Sequence, residues 1–288
     1  MSKPKILVQL DTDPHASTFD GVVAVDAGVD HLMTRSGVNA STIESLVHGT
    51  MFTRGGEDLA STAIFVGGSD VGAAEEVYEA VQRTFFGQVR VSVMLDANGC
   101  NTTAAAAVVT AGKHLDLLAT TAAVLGGTGP VGVRVAQMLA ASGSRVIVLS
   151  RRLEKAEAVC DRLKKKVPGA DLHAASMDDA IGGEPFASAE LIIGCGAAGV
   201  ELIDGSTLAS LSSLRVAIDL NAVPPAGIAG VDVRDKANPL RPELLTYGAL
   251  GVGGLKMKTH KASIERLFQS NDASLDAAEI YDIAKSLA

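Results

Sequence analysis

Tryptophan is absent from this 288-residue chain, which holds only 3 Tyr and 7 Phe. That scarcity argues against a nucleic-acid surface, which needs aromatics interleaved with basic residues. The basic runs at 164–166 and 256–261 are short, and the net charge of −8 opposes polyanions and anionic membranes as partners. Cysteine is equally sparse. Cys100, Cys160 and Cys195 are odd in number, widely spaced and form no C-x-x-C pair. They read as small buried hydrophobes in a reducing compartment, outside any disulfide framework or zinc site. The six histidines make no H-E-x-x-H or comparable cluster, so no metal site is predicted. No apolar run approaches the length of a bilayer span. The first residues, M-S-K-P-K-I-L-V-Q-L-D, turn into a strand without the apolar core and cleavage site of a signal peptide. The expectation is a soluble, cytoplasmic protein.

Alanine, glycine and valine are plentiful instead, a composition suited to helices packed closely on a sheet. Residues 120–152 read T-T-A-A-V-L-G-G-T-G-P-V-G-V-R-V-A-Q-M-L-A-A-S-G-S-R-V-I-V-L-S-R-R: strand, glycine turn, amphipathic helix, strand. Gly127, Gly129 and Gly132 stand at G-x-G-x-x-G spacing, flanking Thr128, Pro130 and Val131. In such a unit the first glycine allows the tight turn and the second lets backbone approach a pyrophosphate. The third brings helix and strand together. The helix start then offers unpaired N–H groups and a positive dipole end to the phosphates. An NAD site carries an acid at the end of the second strand for the ribose 2′-hydroxyl. Here Ser150, Arg151 and Arg152 stand there, a hydroxyl and two guanidiniums suited to a 2′-phosphate, which predicts NADP.

Strands are predicted at residues 5–11, 61–68 and 90–97, with helices at 18–28, 41–49, 71–86 and 102–115. Ser41-Thr-Ile-Glu44 has the form of a capping box. Further strands are predicted at 171–174, 191–194, 215–219 and 245–249, and a charged helix over 152–166. Residues 251–288 read as helical, without a strand, folding back onto the N-terminal domain. The fold class is α/β in two domains: a Rossmann-type doubly wound NADP domain and a smaller parallel α/β substrate domain completed by the C-terminal helices. The boundaries fall at 1–115, 116–250 and 251–288, with ligands expected at the carboxyl ends of strands in a cleft between the domains.

Tyr281 and Lys285 share the Y-x-x-x-K spacing of short-chain dehydrogenases, but the chain ends three residues later and the glycine turn sits mid-chain. The segment reads as an amphipathic terminal helix. The Pro/Gly-dense loop 219–232 follows a strand and could wall a nicotinamide pocket, with Asn221 supplying an amide. Ala197, in G-C-G-A-A-G at 194–199, could approach the same ring. Lys256 and His260 lie four apart and point from one helix face.

Several strings together resemble the NADP-dependent methylene-tetrahydromethanopterin dehydrogenases, nearly end to end. They are Q-L-D-T-D at 9–13, F-D at 19–20, F-T-R-G-G at 52–56, S-T-A-I-F-V-G-G at 61–68 and M-L-D-A-N-G-C-N-T-T-A-A-A at 94–106. The series continues with G-T-G-P-V-G at 127–132, N-A-V-P-P-A-G-I-A-G-V-D at 221–232 and G-A-L-G-V-G-G-L-K-M-K at 248–258. The resemblance implies hydride transfer from a methylene-tetrahydropterin to NADP, with Asp20 as a carboxylate near the developing cation and Lys256 as a pterin-positioning donor. Gln9, Asp13, Thr102 and His260 become candidates for the substrate wall. It also implies a homo-oligomer, a trimer or hexamer. Tetrahydrofolate as the carrier, acceptance of NAD, another two-domain NADP dehydrogenase and a non-enzymatic NADP sensor stay open alternatives.

Overall fold

The computed structural model describes residues 3–180, 183 and 186–288. Two compact units emerge: Met1–Thr102 with Met257–Leu287, and Thr103–Lys256 with Ala288.

The first unit alternates strand and helix. It contains β1 (Ile6–Asp11), α1 (Thr18–Asp26), β2 (His31–Arg35), α2 (Glu44–Met51), β3 (Thr62–Gly67), α3 (Val71–Thr84) and β4 (Ser92–Leu95). Then α4 (Cys100–Ala111) leads into the second unit. Every strand pairing in this sheet is parallel, in the order β12-β4-β3-β1-β2, where β12 is Ser274–Leu275. β3 and β4 are buried along their whole length, as helix-covered parallel strands must be, which is why they read as unbroken apolar runs. Burying each large aliphatic side chain there contributes about 1.5–3 kcal/mol.

Three local readings need correction. The edge strand β2 was not anticipated, because its exposed residues H-L-M-T-R show no core pattern. The C-terminal segment does carry a strand: β12 adds to β4 before α10 (Ala277–Ser286). Ser41 does not cap a helix, because its N–H and hydroxyl both donate to Asn39 Oδ1, at 3.0 and 2.6 Å. α2 therefore starts later, at Glu44. In α10 Glu279 accepts from the Asp276 N–H at 3.0 Å. Tyr281 is buried in that helix and Lys285 pairs with Asp282 at 2.7 Å, as a terminal amphipathic helix requires.

The second unit holds β5 (Thr121–Leu125), α5 (Pro130–Ala141), β6 (Arg145–Ser150), α6 (Leu153–Lys166), β7 (Leu172–Ser176), α7 (Met177–Ala180) and β8 (Leu191–Gly194). It continues through α8 (Gly205–Ser210), β9 (Val216–Asp219), β10 (Lys236–Arg241) and β11 (Leu244–Tyr247) to α9 (Ala249–Arg266), which runs back into the first unit. The sheet order is β10-β11-β9-β8-β5-β6-β7, parallel except for the β10–β11 hairpin. Without β10 this is the doubly wound dinucleotide-binding order, and the order of the strands reverses between β5 and β8. One face packs Leu125, Ile147, Leu149, Ile192 and Phe186 into a continuous core.

After β9 the loop is held by one buried carboxylate. Asp219 accepts from the N–H groups of Gly227 (2.7 Å), Ile228 (3.1 Å) and Asn221 (3.0 Å). Burial pushes its pKa above the ordinary carboxylate range, against those three donors. A raised acid binds its proton more readily folded than unfolded, so its contribution is largest in acid and is lost as pH rises through the folded pKa. Replacing Asp219 by Ala should cost about 1–3 kcal/mol for each N–H left buried. In urea melts the stability gap between wild type and Asp219→Asn should narrow as pH rises from about 4 to 7. A gap independent of pH would contradict this account of the loop.

Candidate functional site

At the switch point of the second unit the backbone is packed against itself. The left-handed residue of the turn is Gly126 (φ +70°), one position before the glycine that the spacing suggested. A Cβ on Gly126 would lie 2.9 Å from Gly196 Cα and N in the loop after β8. One on Gly132 would lie 2.5 Å from the Gly126 carbonyl oxygen, and one on Gly127 2.8 Å from Val148 Cγ1. Helix α5 can therefore seat on the turn only with glycine at 132. A Cβ on Gly129, by contrast, would meet nothing nearer than 3.5 Å. Gly129 caps α5 without a side-chain acceptor, and Pro130 fills the first helical position. The N–H groups of Val131 and Gly132 thus open the helix as an anion-binding start.

Beside this cradle the Thr128 and Ser150 hydroxyls lie 3.3 Å apart. Ser150 Oγ also accepts from the Arg152 N–H at 3.4 Å. Arg151 and Arg152 are exposed, and α6 begins after Arg152 with no side-chain cap. Two helix starts without side-chain caps therefore adjoin a pair of hydroxyls, two exposed arginines follow in sequence, and no carboxylate ends β6. The set fits a dinucleotide with a 2′-phosphate.

The loops after β8 and β9 behave differently from each other. Ala197 is exposed. The Asn221 amide is engaged within its own region: Oδ1 accepts from Gly199 N (3.3 Å) and Val223 N (3.0 Å), and Nδ2 donates to the Pro225 carbonyl (2.9 Å). Its side chain ties the two loops together and lines a cavity of about 220 Å³ with Asp219, Val223 and Gly248.

In the first unit the carboxyl ends of β1 and β4 gather two groups of the sequence-derived residues. Around β1 the buried Asp11 accepts from Asp13 N (3.0 Å), Ser17 N (2.9 Å) and Gln9 Nε2 (3.4 Å). Gln9 Nε2 also donates to the Ser17 carbonyl at 3.3 Å, and its buried Oε1 has no hydrogen-bond partner among the described residues. Asp13 accepts from Ser69 N (3.0 Å) and Oγ (2.8 Å), joining the loops after β1 and β3.

The second group is centred on His260, which is fully buried. Its Nε2 lies 4.0 Å from Asp20 Oδ1 and its Nδ1 4.0 Å from Asp96 Oδ2. Its ring stacks on Phe65 at 5.7 Å between centroids, with Phe19 at 6.4 Å. Asp96 also accepts from Asn101 N (2.9 Å), Thr102 N (3.0 Å) and Thr102 Oγ1 (2.7 Å). Asp20 remains slightly open, with 13% of its side chain exposed. Lys256 is half-buried on α9, one turn before His260.

Asp20, Thr102 and His260 thus come together around Asp96, while Gln9 and Asp13 come together around Asp11. Both central acids fall within strings singled out by sequence, 9–13 and 94–106, at strand ends where ligands are expected, but sequence reasoning gave neither a role of its own. Both stand at the ends of apolar strands just before turns, the position where a parallel sheet presents its polar groups. Among the described residues no cluster of His, Cys, Asp and Glu could hold a metal ion, and no helix is long and apolar enough to cross a membrane.

Residues 18–98 match the family model described as methylene-tetrahydromethanopterin dehydrogenase, N-terminal. Over all of both chains the protein is 44% identical to "Bifunctional protein MdtA" of Methylorubrum extorquens. It is 30% identical to that organism's "NAD(P)-dependent methylenetetrahydromethanopterin dehydrogenase", over 98% of each. Among solved structures it resembles shikimate 5-dehydrogenase from Listeria monocytogenes, crystallised with shikimate and NAD. That likeness has a TM-score of 0.54 at 13% identity, covers 97% of this chain and 96% of that one, and bears on the fold alone. A two-unit α/β chain with a dinucleotide cradle is thereby joined to full-length relatives by sequence. The chain belongs to the methylene-tetrahydromethanopterin dehydrogenase family.

Proposed function

We propose that the protein oxidises methylene-tetrahydromethanopterin to the methenyl form, with NADP taking the hydride. The observation that carries this reading is the pair of uncapped helix starts around Thr128 and Ser150, with Arg151 and Arg152 beside them and no acid at the end of β6. The names of the full-length relatives support the pterin as donor. When bound, NADP supplies the hydride acceptor. Gly127, Thr128, Gly129, Pro130, Val131 and Gly132 line its pyrophosphate, and Ser150, Arg151 and Arg152 read its 2′-phosphate. Ala197 and the loop pinned by Asn221 border its nicotinamide. Residues 116–250 form the dinucleotide-binding domain, and residues 1–115 with 251–288 the pterin-binding domain.

The chemistry asks little acid–base work of the protein. The methylene carbon of the donor lies between two nitrogens, whose lone pairs stabilise the amidinium left as hydride departs. No proton leaves in that step, so no general base is required. The protein must orient the donor, exclude water and favour the developing cation. Asp20 supplies negative charge for the cation. Lys256 donates to the pterin ring carbonyl, away from the reacting carbon, where its charge would oppose reaction. Gln9 and Asp13 shape the wall, and the buried Thr102 acts behind it through its hydrogen bond to Asp96. Tetrahydrofolate shares the reacting bicycle and is the competing carrier. The protein works in the cytoplasm as a homo-oligomer, a trimer or hexamer.

The deciding assay follows nicotinamide absorbance with each methylene carrier against NADP and NAD. Reduction of NADP by methylene-tetrahydromethanopterin is expected, and no reduction with any one-carbon pterin would overturn the proposal. Replacing Arg151 and Arg152 by Ala should raise KM for NADP at least about tenfold and leave NAD kinetics almost unchanged. Equal losses with both dinucleotides would assign the arginines to the fold. Asp20→Ala and Lys256→Ala should each lower kcat/KM about tenfold or more, 1.4 kcal/mol per tenfold. Near-normal turnover in both would remove them from the site.

A further inference from the structure

The substrate wall is the wrong place for His260. A side chain with no exposed surface cannot touch a ligand in this structure, yet its two ring nitrogens face two carboxylates on different elements. Asp20 comes from α1 and Asp96 from the end of β4, each 4.0 Å away. The uncharged Phe65 and Phe19 rings also lie against it. On its own helix Lys256 stands one turn earlier, and the neighbouring Lys261 is paired with Asp26 at 2.7 Å.

We propose that His260 is a positioning residue which, as an imidazolium clamped between Asp20 and Asp96, holds the Asp20 carboxylate ionised and aimed at the donor site. The inference rests on the role given to Asp20 above. Two acids on either side of one buried ring favour its charged form, because opposite charges in a dry environment stabilise each other. The asymmetry between the acids gives the arrangement a direction. Asp96 is wholly buried and locked by Asn101 N, Thr102 N and Thr102 Oγ1, so it cannot follow the ring. Asp20 keeps an exposed edge, the face available to a substrate. Asp96 thus anchors the imidazolium, the imidazolium fixes Asp20, and Asp20 alone meets the developing cation. Thr102 acts in the same chain of contacts, as the clamp on Asp96.

Charge gives this role a signature that a packing role lacks. If the imidazolium is needed, kcat falls as pH rises through the His260 pKa. His260→Gln should lower kcat about tenfold while KM for the pterin and Kd for NADP stay within about threefold. It should also abolish the alkaline fall that the wild type shows. Asp96→Asn removes one of the two neighbouring charges and should move that fall to lower pH. Because the Asn101 and Thr102 N–H groups can still be accepted by an amide oxygen, this second variant tests the idea even if His260→Gln fails to fold. Unchanged pH profiles in the variants, scaled or not, would overturn the proposal. Absence of any pterin oxidation by the wild type would instead overturn the functional reading and leave the His260 charge to be read by 15N NMR of the ring.

Discussion

The second unit depends on one steric constraint: the backbone of α5 lies directly on the backbone of the turn that precedes it. With 2.5 Å between a virtual Cβ at 132 and the Gly126 oxygen, no side chain fits there. The same turn abuts Gly196 across the switch point, so the loops after β5 and β8 meet backbone to backbone. Bare backbone is what a pyrophosphate needs, because N–H groups can then approach its oxygens without a methyl in the way. The uncapped start of α5 is the complement of this geometry. A serine or aspartate at the cap would stabilise the helix by about 1 kcal/mol and occupy the donors an anion requires.

The first unit solves the opposite problem, burying charge. Asp11, Asp96 and His260 have essentially no exposed surface, which would be prohibitive for isolated ions. Each acid is compensated by several donors at the end of its strand: backbone N–H groups with Gln9 at Asp11, backbone N–H groups with Thr102 at Asp96. Carboxylates held this way cannot reorient, so the loops they organise are fixed. Asp96, 4.0 Å from the His260 ring whose other nitrogen faces Asp20, is also part of the charge behind that more open acid.

How much of this was legible beforehand follows from the range of the interactions. The glycine turn, the arginines and the central strands could be read because their causes are local: turn geometry, period and an absent acid within about thirty residues. Even there the spacing misplaced the left-handed residue by one, since G-G offers two choices and only the contact with Gly196 decides. The edge strand β2 escaped because its exposed residues carry no pattern. β12 escaped because two residues show no periodicity and form a strand only where β4 offers an open edge. His260 was picked out by its spacing from Lys256, but its burial depends on Asp20, Asp96 and Phe65. These partners lie between 164 and 240 positions away in the chain, a relation no window can see.

The two units also differ in how a substitution would act. In the proposed dinucleotide cradle the backbone itself is the binding surface, so Gly126, Gly127 and Gly132 are intolerant for steric reasons, whereas Arg151 and Arg152, proposed to read the 2′-phosphate, are exposed and replaceable. In the other unit the proposed recognition rests on the charge of Asp20, with the buried charges of Asp96 and His260 behind it. On that proposal a change at Thr102 or Asp96 reaches the ligand through Asp20 without altering any contact surface. The direction of that coupling is fixed by burial: the locked acid constrains the ring, and the ring constrains the open acid. The proposed specificity for the dinucleotide is therefore written on the surface, whereas the proposed electrostatics of the donor site are written in the core.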